Sequence, residues 1–339
     1  MSANADPAPV ADPALDPPPI TMTVDVEDHR PAPTWEARYE RCTRRFLDFF
    51  EEHDIRATFF VVGRLAEWSP GLVEEISRRG HEVGLHGYRH WAVFSYEPSS
   101  FAAETAKGKA LIEDIIGAPV VGFRAPAGTI MPSTFWATEI LAEVGFEYSA
   151  SVLPAQSYVV GFPGVPATPF RWPSGLVEAP CPAFAVGSVG LPFMGGTFLR
   201  VFPLPLVRFL VGRLPARSTP WMYAHPYDID TGEPFWVVPE VKRWGSVLLW
   251  TNRAGMLRKL ERLLVGRSGP PLGERLRALA GDLPTFVPQR ADEPPGRGDV
   301  VEMLHVALRR ERIVRDVSPR NGEVTVASRG TDAPPSRPS

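Results

Sequence analysis

Two histidines four residues apart, His86 and His90 in HGYRH, follow a short apolar run in a chain that holds only 7 histidines. If the segment makes a helical turn, both imidazoles face the same way and can share one ion. A third ligand is on offer nearer the start, where TVDVED brings Asp25, Glu27 and Asp28 to the end of another apolar stretch. Two imidazoles and a carboxylate suit Zn²⁺ or a similar divalent ion and leave positions open for water and substrate. Such an ion lowers the pKa of water towards about 7 and polarises a carbonyl oxygen. Hydrolysis also needs a base for the water and an acid for the leaving group. Asp25 is the candidate base, just inside the strand end, and His225 in WMYAHPYDID is the candidate acid. Arg124 in GFRAPAG is the candidate cation that pairs with Asp25 and keeps it ionised. Each has an ordinary reading when taken singly: a solvated turn, a helix cap, a structural ion pair, a satisfied histidine. Their placement after separate strands favours a shared site.

The elements that must position them alternate. ITMTVDVED (20–28) carries β-branched residues in alternation and reads as a strand. The next segment sets Trp35, Tyr39, Cys42, Phe46 and Phe50 at helical spacing. ATFFVVG (57–63) is a short buried strand, Ser69-Pro70 opens a helix that Gly80 closes, and HEVGLH is a third strand. A helix over 100–116 leads to VVGFRAP (120–126), and another over 133–144 leads to FEYSAS. Strands alternating with helices imply βαβ units and a parallel sheet. In such sheets, sites are built at the carboxyl ends of the strands. The later part is less regular, with Pro/Gly-rich loops over 154–197, an apolar run near YAH and a helical stretch NRAGMLRKLERLL (252–264).

Composition bounds the rest. The chain has 339 residues, 44% hydrophobic and 22% charged, as in an ordinary globular protein. A net charge of −3 gives no nucleic-acid footprint. Cys42 and Cys181 are too few for a disulfide framework or a cysteine metal site. Residues 1–19 and the Pro/Ser-rich end of 291–339 read as disordered, with a short element of unassigned role before that tail, and 20–290 as one catalytic domain. The first residues lack the pattern of a signal peptide and no apolar run is long enough to span a membrane, so the expected location is cytoplasmic. FLRVFPLPLVRFLVGRLP (198–215) reads as a buried or partner-facing segment, with contact to a membrane surface as the weaker option. Oligomeric state is not legible.

TVDVED, GHEVGLHGYRH, GFRAPAG and YAHPYD, in this order and spacing, resemble the polysaccharide deacetylases of the NodB-homology type, carbohydrate esterase family four. The resemblance covers roughly residues 19–290. It is closest to the branch with a DVED first motif associated with exopolysaccharide biosynthesis, including a stretch similar to that branch's C-terminal extension. It implies a distorted parallel (β/α) barrel with fewer than eight strands. It also implies metal-dependent removal of N-acetyl groups from the amino sugars of a poly- or oligosaccharide. By the same resemblance Asp25 is the base, His86 and His90 are metal ligands, Arg124 positions the base and His225 is the acid. A backbone N–H near Ala127 or Gly128 would help hold the oxyanion. The metal would be Zn²⁺, with Co²⁺ or Ni²⁺ as alternatives.

The sequence departs from the family pattern at one point. Many members carry a second aspartate directly after the first, and here that position is Val26. Glu27 and Asp28 are then the candidate carboxylate ligands; Glu27 shares a strand face with Asp25, whereas Asp28 requires the chain to turn. Glu178 in GLVEAP is a candidate partner for the acid histidine, against the plainer reading of a surface glutamate. Trp172 and Trp221 are candidates for a sugar-lining role, against burial in the core. Two alternatives keep the fold: an allantoinase-like hydrolase of a small cyclic amide, and an inactive sugar-binding homologue.

Overall fold

A computed structural model describes residues 18–155, 160–186, 189–215, 217–239 and 241–288. Of the segments 1–19 and 291–339 expected to be disordered, 1–17 and 291–339 lie outside the described residues, as does the uncertain element at 295–318. The first half runs β1 (Thr21–Val26), α1 (Tyr39–Glu52), β2 (Ala57–Val61), α2 (Gly63–Trp68), α3 (Pro70–Arg78), β3 (Glu82–Leu85), α4 (Pro98–Ile116), β4 (Gly122–Phe123), α5 (Ala137–Glu143) and β5 (Tyr148–Ser149). Then follow β6 (Phe170–Arg171), β7 (Val177–Glu178), β8 (Ala183–Val186), β9 (Val189–Pro192), α6 (Gly196–Val201), α7 (Leu204–Val211) and β10 (Trp221–Ala224). The last elements are α8 (Lys242–Trp250), α9 (Met256–Leu264) and α10 (Leu272–Leu279).

The main sheet has the order β10-β1-β2-β3-β4-β5-β7-β6. Every neighbouring pair is parallel except β6 with β7, so the parallel part has seven strands and an antiparallel eighth closes one edge. The result is a curled, distorted (β/α) half-barrel whose end strands β10 and β6 do not pair with each other.

β1 lies between β10 and β2 and is buried at every position, as strands covered on both faces are. Alternation divides its side chains. Met22, Val24 and Val26 join the large cluster that includes Phe46, Phe50 and Phe59. Thr21, Thr23 and Asp25 point the other way, and the first two satisfy their hydroxyls on the Pro270 and Met222 carbonyls. In β2, Phe59 serves the large cluster, while Phe60 joins Tyr148, Trp221, Leu272 and Leu276 in a second cluster.

Helix α1 starts four residues later than the apolar spacing suggests. Trp35 sits in a turn and is 36% exposed, because Pro31 and Pro33 hold the preceding chain away from helical geometry. The strand expected over 120–126 pairs only at Gly122–Phe123, and the helix expected over 133–144 is regular only from 137 to 143. The loops of 154–197 contain the short strands β6 and β7 and the hairpin β8–β9. The apolar segment 198–215 forms parts of α6 and α7. Among the described residues no helix is long and apolar enough to cross a membrane.

Candidate active site

Parallel strands deliver their carboxyl ends to one rim, and the chemistry collects there. Asp25 is the fifth residue of β1 and Glu27 follows its end; His86 follows β3, Arg124 follows β4 and His225 follows β10. All five line one cleft of about 440 Å³.

Ligand atoms of Glu27, His86 and His90 lie within 4.8 Å of one another, the spacing of groups that could hold a metal ion. The turn that joins the histidines is not helical. Gly87 (φ 65°) and His90 (φ 59°) both adopt left-handed backbone, which bends the chain so that the two rings lie 4.9 Å apart. Glycine takes that conformation freely, whereas for His90 it carries local strain. His86 Nδ1–H donates to the Arg124 carbonyl at 3.0 Å, which fixes the tautomer and turns Nε2 towards the cluster. Burial, offset only partly by Asp25, pushes the His86 pKa down to about 4, so the ring is neutral and able to ligate. His90 Nε2 meets Glu27 Oε2 at 2.7 Å. Burial raises the Glu27 pKa, but His90 and His225 outweigh it and hold the carboxyl well below the usual range. Two imidazoles and an ionised carboxylate therefore fit a divalent cation.

Asp28, the other candidate carboxylate, lines the same cleft but is not one of this group. Its Oδ2 pairs with Arg30 Nε at 2.7 Å and its Oδ1 accepts the Arg30 amide at 3.2 Å.

Asp25 lies on the same floor. Arg124 Nη1 donates to Asp25 Oδ1 at 2.6 Å and to Thr23 Oγ1 at 2.8 Å. The guanidinium is sandwiched between Phe60 and Trp221, with its carbon 4.1 and 4.2 Å from the ring centres. Cation–π contact and a buried ion pair together fix Arg124 in one position.

Sequence reasoning missed the partner of His225. Asp228 Oδ2 accepts from His225 Nδ1 at 2.9 Å and from its backbone N–H at 2.8 Å. Asp228 in turn forms an ion pair with Arg200 at 2.9 Å, both side chains being fully buried. The signal was present as His-Pro-Tyr-Asp: an acid at the third position of a helical turn reaches back to the residue that caps it. On the far side His225 Nε2 is 3.2 Å from Glu27 Oε1. Burial would lower the His225 pKa, yet Glu27 and Asp228 prevail and raise it to about 9.

Three other expectations are corrected or refined. Glu178 neither orients His225 nor reaches the surface; it is fully buried and accepts from the Ser151 and Val152 amides and from Trp172 Nε1. Trp172 therefore belongs to the core, whereas Trp221 lines the cleft beneath Arg124. Ala127 and Gly128 also line the cleft, and both have left-handed backbone. The Gly128 amide donates to the Ala125 carbonyl at 3.0 Å.

Residues 19–149 match the family model described as polysaccharide deacetylase, and residues 150–268 match the one described as a domain of unknown function, DUF3473. The site therefore draws on both matched regions, since Asp25, Glu27, His86, His90 and Arg124 lie in the first and Arg200, His225 and Asp228 in the second. A peptidoglycan-N-acetylglucosamine deacetylase of Bacillus cereus is 31% identical over 98 residues, 29% of this chain and 36% of that protein. A peptidoglycan deacetylase of Helicobacter pylori is 30% identical over 109 residues, 32% of this chain and 36% of that protein. The chain spans about a third to a half of the length of the first such curated relatives. Among solved structures, a family 4 carbohydrate esterase from Streptomyces lividans in complex with acetate aligns over 75% of this chain and 98% of its own, at 15% identity and a TM-score of 0.40.

Proposed function

Residues 19–149 belong to the polysaccharide deacetylase family, and on that premise we propose that the protein is a metal-dependent hydrolase that removes N-acetyl groups from saccharide amino sugars. The observation that carries the reading is the meeting of three groups in one cleft: Glu27 with His86 and His90, Asp25 with Arg124, and His225 with Asp228.

Glu27, His86 and His90 would hold the ion. Zn²⁺ suits this donor set best, and Co²⁺ or Ni²⁺ is compatible with it. Bound there, a divalent ion supplies Lewis-acid polarisation of the amide carbonyl and makes water more acidic.

The protein's own residues do the rest. Asp25, paired with Arg124, takes the proton of the water that adds to the carbonyl carbon. Thr23 and the two aromatic rings keep Arg124, and through it Asp25, from turning aside. The Ala127 amide is the candidate donor to the oxyanion, because the Gly128 amide already serves Ala125. His225 gives its proton to the departing nitrogen as the C–N bond breaks, leaving acetate and a free amine. Asp228 orients that imidazole and balances its charge; against burial, which raises it, His225 and then Arg200 hold the Asp228 pKa below its ordinary value.

The direct test is acetate release from N-acetylglucosamine oligosaccharides by protein stripped with a chelator and then reloaded with Zn²⁺, Co²⁺ or Ni²⁺. Activity that vanishes on stripping and returns on reloading is expected. No acetate from any reloaded sample would contradict the reading.

A further inference from the structure

The floor and walls of the cleft differ in chemistry. The floor carries the charged groups described above, whereas Leu153, Val160, Val238, Val241 and Leu249 face the same space from the sides. The wall does not stop at the cleft mouth. Val241 lines the cleft and is also 42% exposed, and from it an apolar stripe runs out along α8. Trp244 and Leu248 follow at intervals of three and four residues, with Val247 beside them, so they share one helical face. Trp244 is 84% exposed, and Val247 and Leu248 are each more than two-fifths exposed.

This helix is held in place. Ser246 Oγ accepts the Val238 amide at 2.9 Å, and Trp250 Nε1 donates to the Glu233 carbonyl at 3.2 Å. Glu233 is tied to Arg253 at 2.7 Å and to His29, just beyond β1, at 2.9 Å. Single exposed apolar residues are common on proteins, but a contiguous stripe that leads out of a ligand cleft marks an interaction site. A sugar ring could stack on Trp244, but Val241, Val247 and Leu248 beside it offer saccharide hydroxyls no hydrogen-bond partner.

We propose that the substrate is an amphiphile, a saccharide head joined to a hydrocarbon chain. The head reaches the charged floor and the chain lies along Val241, Trp244 and Leu248. The nature of the head rests on the deacetylase reading; the place of the chain rests on the stripe alone.

The test compares two N-acetylglucosaminides that differ only in their aglycone, methyl or dodecyl, the latter kept below its micelle threshold. Full-length, metal-loaded protein is used, with binding read by calorimetry and acetate release measured in parallel. The dodecyl glycoside should bind tighter by on the order of tenfold or more. Trp244→Ser and Leu248→Ser should each remove most of that advantage while leaving methyl glycoside turnover unchanged. Acetate released from both glycosides with no difference in binding would overturn the chain subsite and leave the deacetylase reading intact. Tighter dodecyl binding that Trp244→Ser weakens, without acetate from any N-acetylated sugar, would support the subsite and sink the deacetylase reading. A dodecyl preference that survives both substitutions would overturn the proposal. So would adsorption to phosphatidylcholine vesicles that Trp244→Ser abolishes while the two glycosides bind alike, because the stripe would then be a membrane contact.

Discussion

Arg200 and Asp228 face each other at 2.9 Å with no solvent exposure of either side chain, and the second oxygen of Asp228 holds His225 Nδ1 at 2.9 Å. A charge chain thus runs from the interior of the second matched region to the floor of the cleft. Asp228→Asn preserves the shape of this link but removes the charge that stabilises a protonated imidazole. We expect kcat for acetate release to fall by about 10²–10⁴-fold with the fold retained. Steady-state kinetics alongside a thermal melt would check this, and a near-normal kcat would remove Asp228 from the mechanism.

Arg200→Met has a different expected signature. It removes one of the two cations that face a fully buried aspartate, so stability should drop by about 3–5 kcal/mol in urea unfolding. An unchanged midpoint would mean that the pair contributes little.

Glu27 and Asp28 make opposite predictions about the metal. Glu27 lies with His86 and His90, whereas Asp28 is engaged by Arg30. Glu27→Ala, His86→Ala and His90→Ala should each lose most of the bound metal, and Asp28→Ala should keep it. Elemental analysis after gel filtration decides the matter, and metal lost from Asp28→Ala alone would reverse the ligand assignment.

The sequence pointed to this candidate site because Asp25 lies near the end of one apolar run, and His86, Arg124 and His225 follow others. Choosing between Glu27 and Asp28 required the direction of the chain after Val26, which a strand pattern stops short of giving. Glu178 was misread for a related reason. Its strand is only two residues long, and its burial depends on Ser151, Val152 and Trp172 arriving from elsewhere. Arg200 sits in an apolar segment where an arginine suggests interruption, and only the approach of Asp228 turns it into a buried partner. The region after residue 150 builds β6 and β7 from two residues each, too short for periodicity to register.

A pH-dependent stability follows from His81, which precedes β3 and packs between Phe50 and Phe59. Its Nδ1 accepts the Ala57 amide at 3.2 Å, so the folded protein favours the neutral ring. Burial, reinforced by Arg79 and Arg56, pushes its pKa from 6.5 down to about 4. Below pH 6.5 the unfolded chain takes up a proton that the folded chain refuses until about pH 4, so stability falls as pH drops through that window and then levels off. The loss from this residue is about 3 kcal/mol. Urea unfolding at both ends of the window, for wild type and His81→Gln, should show a pH dependence shallower by that amount in the variant. Equal slopes would contradict it.

In the proposed mechanism Asp25 performs the proton transfer while Glu27, His86 and His90 hold the metal. The most direct test measures bound metal and acetate release on the same sample of Asp25→Asn. Near-normal metal content and a kcat lower by about 10²–10⁴-fold are expected. Metal retained with activity near that of the wild type would contradict this mechanism.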